Sequence, residues 1–173
     1  MEISAWLVGT LFIFKLLDWL SAVPLNRFGI EPRTLPGLVG ILLSPLLHLN
    51  TAHLLANAAP LFVLLILLFA NPRYHPEQTL AVIWIASGFG TWLIGRGGSI
   101  HIGASSIIYG LVVYLIAAGW WMRSWRSILV AAAVLIFYGG IFYGILPQRG
   151  HVSWEGHLAG AIAGWWAAHK NHA

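Results

Sequence analysis

The chain has 173 residues, 59% hydrophobic and only 8% charged, where an ordinary soluble domain carries roughly a quarter charged residues, so the composition argues against a water-soluble globule. It has no cysteine, which excludes disulfide frameworks, thiolate zinc sites, iron–sulfur clusters and cysteine nucleophiles together. Nine Lys and Arg against five Asp and Glu give a formal +4, but the basic residues are scattered singly or in pairs between apolar stretches, which is not a nucleic-acid patch.

At about 20 apolar residues per spanning helix, six spans leave only short loops and tails. The expected fold is an all-α membrane bundle of six helices forming one domain over 1–173, with no separate soluble domain. The first helix runs from Ile3 to about Val23 and is expected to be retained, because no basic segment precedes it. It carries Lys15 and Asp18 three residues apart, close enough to pair on one face. A segment rich in Pro, Gly and Arg follows from Pro24 to Gly40.

The second helix is expected over Leu46–Ala70, ended by Asn71-Pro72-Arg73, and the third over Thr79–Gly95. Arg96-Gly97-Gly98-Ser99 breaks the pattern. The fourth runs over Ser105–Met122, the fifth over Ile128–Leu146 and the sixth over Trp154 to about His169, with breaks at Ser124-Trp125-Arg126 and Pro147-Gln148-Arg149-Gly150. Lys and Arg in alternate connections divide evenly between the two sides, so charge does not orient the chain.

Ionisable and polar groups inside spans are costly, and three clusters mark candidate sites. In the second helix His53 and Asn57 lie one turn apart, about 40° from each other around the axis, so two donors project from one face; His48 lies off that face. A lone His in an apolar helix is more often a hydrogen-bonded structural residue, but the Asn at this spacing lets two donors reach one oxygen. The second cluster, Gly103-Ala104-Ser105-Ser106, opens the fourth helix. Ser105 there could simply cap it, or its hydroxyl could sit beside the free N–H groups that suit an oxyanion. Tyr109 is one turn further, on the same face. In the third cluster Gly160 and Gly164 form a small-residue stripe that lets a neighbouring helix approach, and His157 lies on that stripe, placed as a base.

Eight histidines raise the question of metal. The zinc-protease spacing of two His four apart around a Glu is absent, and Glu155 and His157 face different sides of a helix, so no metal site is expected. Nor is there a nucleophile elbow, which needs Gly two residues after the Ser, where this chain has Ile107.

The three clusters, in this order, resemble the rhomboid family of intramembrane serine proteases: His53 and Asn57 in the second helix, Gly103-Ala104-Ser105 at the start of the fourth, and His157, Gly160 and Gly164 in the sixth. The segments Asn26–Arg33 and Gly37–Leu42 resemble the first loop of bacterial and related members, although the Trp-Arg pair that some members carry there is absent. Ser106 stands where the family commonly has Gly. The resemblance implies a minimal six-helix core whose short fourth helix starts inside the membrane. It further implies a Ser–His dyad with Ser105 as nucleophile and His157 as general base. His53, Asn57 and the Ser105 N–H would form the oxyanion hole, with Tyr109 stacked on His157 and Gly103, Gly160 and Gly164 supporting the site. No cofactor is implied. The partners would be transmembrane protein substrates within the lipid bilayer of the plasma membrane, with no nucleic acid. A pseudoprotease that binds membrane clients without cutting them is the alternative, and a channel or transporter a third.

Overall fold

The computed structural model describes residues 1–148 and 152–172. Arg149 and Gly150, the end of an expected break, and His151 lie outside the described residues. Among those described there are seven α-helices and no strand: α1 (Glu2–Leu20), α2 (Leu35–Leu43), α3 (Thr51–Phe69), α4 (Pro76–Ile94), α5 (Ser105–Met122), α6 (Trp125–Tyr138) and α7 (Trp154–His172). An isolated antiparallel bridge joins Ile30 to His101.

Among the described residues, four segments are long and apolar enough to cross a membrane: α1, α3, α5, and α6 with its 3-10 continuation, Trp125–Ile145. The other two expected spans, α4 and α7, also have 19 residues. Their polar residues, such as Glu77, Gln78 and Thr79 or Glu155, His169 and Lys170, dilute their apolar character. The expected short fourth helix, α5, has 18 residues, one fewer than α4 or α7, so its length is close to theirs.

The additional helix, α2, lies in the segment that reads as a Pro- and Gly-rich connection. Pro36 does not break it because a first-turn residue has no helical partner for its N–H, and the Thr34 hydroxyl caps it by accepting from the Gly37 N–H at 3.0 Å. The second expected helix starts later than Leu46, since Ser44–Leu46 form a 3-10 turn and Asn50 caps α3. The fifth starts earlier, at Trp125 behind the Ser124 cap, and passes into a 3-10 segment, Gly139–Ile145.

α5 is the central element. It packs most extensively on α7, and also touches α3, α4 and α6, so Leu111, Val112, Leu115 and Ala118 are fully buried. The α5–α7 approach depends on the small-residue stripe. A Cβ at Gly160 would land on the Ser106 carbonyl and one at Gly164 on the Gly110 carbonyl, which any side chain would forbid at this separation. The helix that begins at Ser105 and the helix that carries His157 are thereby held backbone to backbone.

Candidate active site

Gly103 turns the chain into α5 with φ +108°, a backbone region that L side chains rarely adopt. A Cβ there would also lie 2.8 Å from the His53 ring. Ser105 then occupies the first helical position, where its own N–H has no helical acceptor. Its hydroxyl does not cap the helix. Instead Oγ lies 3.0 Å from His157 Nε2.

His157 is oriented from two other directions. Its Nδ1 lies 3.0 Å from the Gly144 carbonyl, and since a carbonyl only accepts, Nδ1 carries the proton and Nε2 presents a lone pair to Ser105. The Tyr109 ring stacks on the imidazole with centroids 4.0 Å apart and planes 9° apart. No carboxylate is needed to fix this tautomer. A backbone carbonyl carries no residue signature, so Gly144 could not be picked out of the sequence.

Ser106 points elsewhere. Its hydroxyl accepts from the buried Ser87 on α4 at 3.4 Å, which separates two adjacent serines that helical periodicity alone leaves equivalent.

Ser105 and His157 line a cavity of about 1020 Å³ shared with His53, Asn57, Tyr109 and the loop Arg96–Ile102. Asn57 Nδ2 donates to the His53 carbonyl at 2.8 Å, leaving the second amide N–H available. His48, expected inside the second helix, sits in the turn before the Asn50 cap, and its ring meets that of His53 edge-on at 5.1 Å. Burial pushes the His48 imidazole down to about 4, and the adjacent His53 acts in the same direction.

The loop Arg96–Ile102, which leads towards Ser105, is tied to the start of α7. His101 Nδ1 pairs with the Ser153 hydroxyl at 2.6 Å and Nε2 with that of Ser99 at 3.1 Å. The Arg96 guanidinium donates to the Val152 carbonyl at 2.6 Å and pairs with the buried Glu155 carboxylate at 2.7 Å. Burial lowers the His101 pKa, although Glu155 opposes the shift. Among the described residues no group of three His, Asp or Glu is placed to hold a metal ion.

The rhomboid-domain family model matches residues 36–172. The chain belongs to the rhomboid family. An uncharacterized protein of Mycobacterium tuberculosis strain H37Rv is 43% identical to this rhomboid over 170 residues, covering 94% of this chain and 71% of its own length. One from Mycobacterium bovis matches to the same extent. A Mycobacterium leprae protein, also uncharacterized, is 38% identical over 181 residues, with 95% and 72% covered. No solved structure matches the chain. With its apolar helices, this rhomboid is an integral membrane protein.

Proposed function

We propose that this rhomboid is an intramembrane serine endopeptidase that hydrolyses peptide bonds in or near transmembrane segments, with six membrane spans formed by α1 and α3–α7 in the plasma membrane. The observation that carries this reading is the Ser105 Oγ to His157 Nε2 contact of 3.0 Å inside a large cavity, with the other imidazole nitrogen held by the Gly144 carbonyl.

In this mechanism Ser105 Oγ attacks the scissile carbonyl while His157 Nε2 takes its proton. The tetrahedral oxyanion receives hydrogen bonds from His53, the free Asn57 amide N–H and the Ser105 backbone N–H. Imidazolium then returns the proton to the leaving amine, and the acyl-enzyme remains. A water, deprotonated by the same nitrogen, attacks the ester and releases the acid and the Ser105 hydroxyl. The Gly144 carbonyl holds Nδ1–H throughout, and the Tyr109 stack limits ring rotation. The polar wall Arg96–Ile102 suits a hydrated cavity, since irregular backbone at membrane depth needs water or protein to satisfy it.

Substrates would be transmembrane helices that unwind locally, exposing a peptide bond otherwise shielded by its own helical hydrogen bonds. Purified protein in liposomes is expected to cleave a generic transmembrane substrate, and a fluorophosphonate is expected to label Ser105. Client binding with neither cleavage nor labelling would favour a pseudoprotease instead.

A further inference from the structure

Lys15 on α1 is a buried cation that takes no part in this chemistry. Its ammonium donates to the Asp18 carboxylate at 2.9 Å and to the carbonyls of His48 and Leu49 at 3.0 and 3.3 Å. Asp18 also accepts from the Leu25 N–H at 2.8 Å. Lys15 is only 6% exposed. Desolvation offsets much of the Coulomb energy of a buried pair, so its significance lies in what it grips.

It grips residues 44–50. At one end of this stretch the Ser44 carbonyl accepts from the Gly103 N–H at 2.8 Å, two residues ahead of Ser105. At the other end Asn50 Oδ1 accepts from the His53 N–H at 2.8 Å, and the His48 ring abuts His53. The stretch is therefore a strap between the loop that delivers the nucleophile and the helix that carries His53 and Asn57. The pair holding it lies ahead of residue 36, where the family match begins.

We propose that Lys15 and Asp18 are positioning residues: by clamping the His48 and Leu49 carbonyls they set the separation between the His53 and Asn57 donors and Ser105. This rests on the protease function proposed above. A displacement of about 1 Å in such an arrangement costs on the order of 10²-fold in rate, so a clamp on the strap acts on turnover without touching substrate.

The test uses the full chain in liposomes with a fluorogenic transmembrane peptide, comparing wild type with Lys15→Met/Asp18→Asn, which removes both charges but keeps an acceptor for Leu25. The expected result is a kcat about 10- to 100-fold lower with KM within about twofold, and displaced His53 ring signals in ¹⁵N-histidine spectra while those of His157 stay in place. Lys15→Arg, which keeps charge and donors, is expected to recover most of the rate. An unchanged kcat with unmoved His53 signals overturns the proposal, as does a rate loss matched by loss of folded protein. Should the double variant not fold, Asp18→Asn alone is expected to give a smaller fall in kcat, and no fall overturns the proposal. If wild type neither cleaves nor is labelled at Ser105, the protease function fails by itself, and the His53 signals alone decide whether the pair positions that ring.

Discussion

α5 and α7 bring a hydroxyl and an imidazole together twice. Near one end Ser105 Oγ meets His157 Nε2, and further along Tyr114 OH meets His172 Nε2, both at 3.0 Å. The surroundings differ. Tyr114 is fully buried, its single proton goes to the Tyr74 carbonyl at 2.6 Å, and the same carbonyl also accepts from Thr79. The His172 nitrogen must therefore be the donor in that pair, with Asn171 as a further donor at 3.4 Å. At the Ser105 end the polarity is reversed, because the Gly144 carbonyl fixes the proton on Nδ1, and the pair borders a cavity. A hydroxyl–imidazole distance alone thus distinguishes nothing; the direction of the proton and the space beside it do.

The largest expected effect breaks that comparison outright. Ser105→Ala and His157→Ala should each lower cleavage by about 10⁴-fold or more, since nucleophile and base act as one unit, while the protein stays folded. Tyr114→Phe should instead leave kcat within twofold and lower stability by about 1–3 kcal/mol through the lost buried hydrogen bonds. Cleavage assays paired with thermal unfolding in detergent check both, and loss of activity in Tyr114→Phe would remove the distinction. Next in size, His53→Ala and Asn57→Ala should each cost about 10²–10³ in kcat with little change in KM, the usual effect of removing one oxyanion donor; steady-state kinetics that move KM alone would make them substrate-binding residues.

A smaller effect concerns pH and belongs to the cavity end. The His48 pKa is lowered from 6.5 to about 4 and that of His101 is also lowered, so keeping these rings neutral contributes stability that is complete above pH 6.5. It is lost as the pH falls through the folded values. Unfolding temperatures should therefore decline between pH 6.5 and about 4, and His48→Phe should flatten that decline. The smallest effect is Ser106→Gly, which removes only the 3.4 Å contact with Ser87 and should keep kcat within a few-fold. Adduct mapping by mass spectrometry should place a fluorophosphonate on Ser105 in both proteins.

The sequence revealed most where side chains repeat with a helical period. Ser105–Met122 is visible end to end because a Gly-rich loop precedes an uninterrupted apolar run, and Lys15 and Asp18 sit one turn apart and pair as that spacing suggests. Helix α2 was hidden because Pro36, Gly37 and Gly40 look like breakers, whereas Pro36 lies in a first turn and the two glycines permit close contact with residues 29–31. Around the candidate site, His53, Asn57, Tyr109 and His157 stand out as polar groups at helical spacings. The links to Gly144, Ser44 and the His48 carbonyl are backbone contacts between distant segments, and no residue type announces them.

The Gly144 carbonyl has a consequence for how activity is gained and lost over descent. An acid that orients a histidine is deleted by one codon change, but a peptide carbonyl is present whatever residue occupies the position, and it is lost only when the chain takes another path. A descendant could then keep both Ser105 and His157 and still have an imidazole directed away from the serine. For the proposed protease function, the course of the 3-10 segment Gly139–Ile145 therefore matters as much as the presence of Ser105 and His157.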